Sequence, residues 1–118
     1  MSEWLVSEEV IEEFTKNNQG REVTTDDIGV QTINPQDIIA INENYDYPDI
    51  LNDYKMEKLK KSVEENEWTD EQPQGFCLLM FPDGKMVVNG AGNHRAVLAK
   101  ELSIESVRAT VKKVRYKK

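Results

Sequence analysis

Seven consecutive residues carry most of the chemistry available to this chain. They are Asn89, Gly90, Ala91, Gly92, Asn93, His94 and Arg95. Two glycines spaced by one residue permit a tight or left-handed backbone and let a ligand approach the main chain closely. The residues that follow, AVLAKEL, form helices well, so the segment ends on a helix N-terminus, with unpaired N–H groups and the positive end of the dipole. Asn93 is suited to cap that helix. His94 and Arg95 fall in its first turn, where the dipole disfavours cations, so each is either paired with a carboxylate or available to an anion. Arg95 offers a planar fork that matches phosphate. Such a set is an anion cradle. A purely structural reading, a tight turn with Arg95 in an ion pair, stays open beside it. The spacing is neither a Walker motif nor a dinucleotide fingerprint, because Gly-x-x-x-x-Gly-Lys and the third glycine are both absent.

Other side chains are weaker candidates. Glu43, Asp46, Asp49 and Asp53 crowd one polar stretch. Beside a bound nucleotide a carboxylate there would hold Mg²⁺ through waters or take a proton; otherwise the stretch is a solvated acidic loop. Trp4, Trp68, Tyr45 and Tyr47 are either stacking platforms or core and interface residues. Cys77 sits in an apolar run and is expected to be a buried, inert thiol. One cysteine and one histidine leave no Cys/His zinc site and no internal disulfide, so no metal ligands are assigned.

The elements that must position these residues follow from pattern. Ser7 followed by Glu8 and Glu9 predicts a capped helix with Val6, Val10, Ile11 and Phe14 on one face, ending near residues 17–20. Residues 30–33 are predicted as a strand, and Asn34-Pro35-Gln36-Asp37 as a short helical turn anchored by Ile38 and Ile39. Residues 41–53 are predicted as a loop. Asp53 then caps a helix with a Met56, Leu59, Val63 stripe that stops near Glu65. Trp68 interrupts a polar run and is expected to fold back on the core. Residues 76–81 and 86–88 flank Pro82-Asp83-Gly84-Lys85 and predict a hairpin. Residues 107–114 alternate as a half-buried strand. The sum is an α+β fold, a small mixed sheet with a hairpin and three to four helices. Residues 1–29 divide off as an N-terminal helix and linker, and residues 30–118 as the main compact unit.

The chain has 118 residues, enough for one domain. Leu, Ile, Val and Phe make up about a quarter of it, above the roughly 20% below which a charged chain stays disordered. No run is long and apolar enough for a membrane span, and the acidic start lacks signal-peptide features, so a cytoplasmic protein without membrane contact is expected. The net charge of −7 is uneven. Residues 1–76 hold 6 Lys/Arg against 19 Asp/Glu, and residues 77–118 hold 9 against 3. The acidic part repels nucleic acid and suits a basic protein partner; the basic part keeps a phosphate or DNA ligand open.

The segment VVNGAGNHRAVLAKELSIESVRATV resembles the hallmark of the ParB/sulfiredoxin superfamily, here as a stand-alone domain. That hallmark is a strand, a glycine turn, His-Arg, a helix, then an x-V-x-A-x-V strand. The upstream order, VQTINPQDI, KMEKLKKSVEENEW and GFCLLMF, also matches, so the resemblance spans residues 30–114. It implies a compact α+β fold whose glycine turn holds nucleotide phosphates, with Gly90, Gly92, Asn93, His94 and Arg95 as the phosphate-binding set. It implies a nucleoside triphosphate or diphosphate with Mg²⁺ as ligand, a phosphotransferase or NTPase activity as an open question, and phage or mobile elements as one source of such domains. Sulfiredoxin activity is not expected, since Asn93 stands where that enzyme has its reactive cysteine. A DNA clamp is not implied: INENYDYPDI lacks the loop arginine of ParB proteins, and their helix-turn-helix does not follow. Three classes therefore remain: a nucleotide or phosphate binder, a non-catalytic interaction module (antitoxin, immunity protein or regulator) using its acidic surface, and a DNA-binding or nuclease-like protein.

Overall fold

A computed structural model describes residues 4–69 and 72–117. Its elements are β1 (Leu5–Val6), α1 (Ser7–Asn17), β2 (Val23–Ile33), β3 (Ile38–Ile41), α2 (Tyr54–Asn66), β4 (Cys77–Met80), β5 (Met86–Val88), α3 (Asn93–Glu101) and β6 (Val107–Tyr116), with 3-10 turns at Pro35–Asp37, Asp49–Asn52 and Pro73–Gly75. The strands form one mixed six-stranded sheet in the order β1-β3-β5-β4-β6-β2. The fold is α+β, and the hairpin is present, with Leu78, Leu79 and Met80 opposite Val88, Val87 and Met86.

Alternation along the strands divides the core between two faces. Met86 and Val88 join Ile38, Leu78, Val107, Ala109 and Val111 under α2 and α3, which contribute Met56, Ala96, Val97 and Ala99. Val87 points the other way, with Ala40, Phe81 and Val114, and meets Val10, Ile11 and Phe14 of α1. Trp68 packs against the larger cluster, as its position in a polar run predicts.

Four local expectations need correction. Ser7 is the first residue of α1 rather than its cap; it is fully buried and its hydroxyl has no partner among the described residues. The second strand starts at Val23, not at residue 30. Asp26, Asp27 and Gly29 disguise it, because they build a bulge in which Gly29 takes φ +71° and donates its N–H to Asp27 Oδ1 at 2.9 Å. Residue 29, where the sequence divides into two units, thus lies inside β2. Ile38–Ile41 is a strand parallel to both β1 and β5, where the sequence offers only two anchoring isoleucines. Cys77 is half-buried, its thiol donating to the Gln74 carbonyl, because β4 turns that residue away from the larger core. Asn34 and Asp53 do cap as predicted, accepting from Gln36 N–H at 2.9 Å and Met56 N–H at 2.8 Å.

Candidate functional site

The glycine turn is built as a continuation of the hairpin. Beyond the β4–β5 ladder, Asn89 N–H donates to the Cys77 carbonyl at 2.9 Å and Cys77 N–H donates to the Ala91 carbonyl at 3.0 Å. Gly90 and Gly92 then take φ of +92° and +99° and turn the chain into α3. The two glycines are required for different reasons. A Cβ on Gly90 would meet open space, so only its backbone angle demands glycine. A Cβ on Gly92 would lie 2.6 Å from Phe76 Cδ1 and 2.9 Å from Phe76 Cα, so packing excludes it as well.

Gly92, not Asn93, occupies the cap position of α3. Asn93 is the first helical residue, only 4% exposed, and its Oδ1 accepts the N–H of Asn42 at 2.8 Å. The first intrahelical bond runs from Ala96 N–H to the Gly92 carbonyl. The N–H groups of Asn93, His94 and Arg95 precede that bond and have no acceptor within the helix.

His94 has a carboxylate partner, whereas Arg95 bonds to a backbone carbonyl. His94 Nε2 is 2.7 Å from Asp53 Oδ2, which puts the ring proton on Nε2, and the ring meets Tyr45 edge-on with centroids 5.0 Å apart. Burial pushes the Asp53 carboxyl up, but the hydrogen bonds from His94 and Met56 and the positive charges of His94 and Lys55 outweigh it, leaving Asp53 below its ordinary value. Arg95 meets no carboxylate among the described residues: its Nη1 donates to the Gln72 carbonyl at 2.6 Å. This acceptor is neutral, so none of the described residues compensates the guanidinium charge.

Residues 90–95 line one cleft of about 390 Å³ together with Tyr45, Lys55, Leu59 and Gly75. All five residues singled out in the sequence are therefore brought together. Lys55 joins them unforeseen, although it carries the same signal as His94 and Arg95, a cation in the first turn of a helix. Asn42 was also missed, because its role depends on long-range contacts. Of the four carboxylates grouped in the sequence, Asp53 bonds to the site through His94. Glu43 instead offers its N–H to Glu8, and the Asp46 carbonyl accepts from Ile50 N–H. Among the described residues no three His, Cys, Asp or Glu side chains gather as metal ligands. No described helix is long and apolar enough to cross a membrane.

The charge asymmetry along the chain is partly closed within the sheet. Asp26 and Asp27 on β2 stand opposite Lys113 and Lys112 on β6, and Asp26 pairs with Arg115.

No protein-family model and no curated protein matches the chain. Among solved structures it is similar to the C2221 form of a Pnob8-like ParB-N domain, at 17% identity and a TM-score of 0.44, covering 78% of this chain and 30% of that one. The chain thus spans less than a third of the length of the structure it matches.

Proposed function

We propose that the protein binds a phosphate-bearing small molecule, a nucleotide in the first instance, in the cleft between the glycine turn and α2. One observation carries this reading: Lys55, Arg95 and the opening residues of α3 line a single cleft of about 390 Å³. Their charges are of one sign, and Asp53, the carboxylate bonded to the site's histidine, already accepts hydrogen bonds on both oxygens. Such a cleft favours an anion over a neutral ligand. Phosphate oxygens suit the remaining N–H groups of Arg95 and the helix opening, and Tyr45 offers a ring beside them. With Asp53 so occupied, Mg²⁺ enters this reading as a counter-ion on the ligand's own phosphates. A thermal-shift panel of CTP, ATP, ADP and GTP, each with and without Mg²⁺, tests it. Binding at about 100 times Kd stabilises the native state by roughly 2.7 kcal/mol, a rise of several degrees for a chain of this size. No shift with any nucleotide at millimolar concentration overturns the reading.

A second reading, a protein-interaction role, is favoured by a different feature. A groove of about 300 Å³ runs between α1 and the β4–β5 turn, with Phe14, Ile39, Phe81 and Tyr116 in its lining and Glu13, Asp83 and Lys85 as its charged residues, an acidic excess of one. Its chemistry fits a basic segment with an apolar anchor. Glu13→Lys and Phe14→Ala should each abolish binding of such a partner and leave any nucleotide shift intact.

A further inference from the structure

We infer that Glu8, in the N-terminal helix, positions the glycine turn through Asn42. Its value to ligand binding rests on the cleft reading above. The Glu8 carboxylate uses both oxygens on one short segment: Oε2 accepts from Asn42 Nδ2 at 3.2 Å and Oε1 accepts from Glu43 N–H at 2.9 Å. Asn42 then faces the turn with its remaining groups. Its Oδ1 accepts the N–H of Gly90 at 3.1 Å, and its own N–H donates to Asn93 Oδ1 at 2.8 Å. Four hydrogen bonds thus link the first turn of α1 to both ends of the bend at 90–93. The donor and acceptor roles are fixed along the whole path. A carboxylate accepts only, so Asn42 must present Nδ2 to Glu8 and hence Oδ1 to Gly90. Glu8 therefore sets the amide orientation of Asn42, and Asn42 holds the peptide plane of Gly90.

The consequence for the cleft is specific. The Gly90 N–H is committed to Asn42, so it is not offered to a ligand; the open donors are those at the start of α3. Holding Gly90 at φ +92°, where the backbone is otherwise unrestrained by a side chain, keeps the turn that leads into α3 in one geometry. Asn93, held by the same residue, fixes the first residue of the helix.

The deciding experiment is amide hydrogen exchange on the ligand-free full chain. Asn42→Ala should speed exchange of the Gly90 amide roughly fivefold, the effect of one lost hydrogen bond. Glu8→Ala should speed the same amide, and should add little in the Asn42→Ala background, because Glu8 acts through Asn42. Glu8→Gln, which keeps one acceptor oxygen, should recover part of the protection. Glu9→Ala, one residue along α1 and exposed, should change nothing at Gly90. Val111 in the central sheet reports whether the fold persists; its amide should be unaffected throughout. An unchanged Gly90 amide in Glu8→Ala, or an undiminished effect of Glu8→Ala in the double variant, overturns the proposal. Inorganic pyrophosphate is the binding probe. If the unaltered protein binds it, Glu8→Ala should weaken binding a few-fold; equal affinity would overturn the positioning role even with faster exchange. If the unaltered protein does not bind it, the cleft reading is the part that fails, and the exchange data alone decide the relay.

Discussion

Asp53 and His94 join the first turns of two helices through one carboxylate. Oδ1 accepts the Met56 N–H that opens α2, at 2.8 Å, and Oδ2 meets Nε2 of His94 in the first turn of α3, at 2.7 Å. A capping residue is normally local. Here it also fixes a side chain whose position in the sequence is 41 residues away, and so sets the separation of Lys55 from the glycine turn.

The double role has a measurable pH signature. Asp53 lies below its ordinary value in the folded chain, so the unfolded chain binds more protons in the acid range. Its contribution to stability is complete above about pH 4 and is lost as pH falls through the folded value. Asp53→Asn, which preserves the cap, should flatten the fall of Tm below pH 4. Parallel Tm–pH curves for the two proteins would show that the pair contributes no linkage. Asp53→Ala, which removes the cap as well, should cost a further amount on the order of 1 kcal/mol in chemical denaturation.

The two glycines should respond differently to alanine. Gly90→Ala adds backbone strain only, about 1–2 kcal/mol. Gly92→Ala adds the same strain and a collision with Phe76, and should lose several kcal/mol or fail to fold. Equal midpoints in urea would contradict the packing difference.

Arg95→Ala should weaken nucleotide binding tenfold to a hundredfold, since a charged hydrogen bond contributes roughly 1.5–3 kcal/mol. Arg95→Lys should recover only part, because an ammonium cannot span two phosphate oxygens. Isothermal titration of the two variants with the nucleotide that gives the largest thermal shift checks this. Unchanged affinity in Arg95→Ala would reduce the guanidinium to a tie for the Gln72 carbonyl.

Lys55→Ala should lower affinity in the same titration with little change in stability, since the side chain is exposed and its part is electrostatic. Lys55→Glu should lower it further, and raised ionic strength should narrow the difference between the variants.

The sequence was most legible where a local rule acts alone. The hairpin announced itself by two apolar runs around Pro82-Asp83-Gly84-Lys85, and α2 by an aspartate followed by a helical stripe. The five residues of the turn were legible because glycine spacing and misplaced cations are local signals. What stayed hidden depends on contacts distant in sequence. Ile38–Ile41 is too short to be a strand on its own pattern and becomes one because β1 and β5 flank it. Asn42 reads as one more polar loop residue until Gly90, Asn93 and Glu8 are brought around it. Cys77 looked buried because its neighbours are apolar, yet alternation along β4 sends Leu78 into the larger core and Cys77 to the opposite face.

The place of β6 in the sheet governs the order in which this fold can be completed. It lies between β4 and β2, pairing parallel with one and antiparallel with the other, and it is the last strand in the sequence. Until β6 arrives, β2 has no neighbour and β4 has one bare edge. A chain emerging residue by residue therefore carries an unpaired eleven-residue strand until residues 107–116 have been made. Closing the sheet means bringing residues 23–33 and 107–116 together in one step, a long-range pairing that makes assembly slow. Asp26, Asp27 and Gly29, poor strand formers, then have a use before folding as well as after it. They make the waiting strand a poor template for another chain.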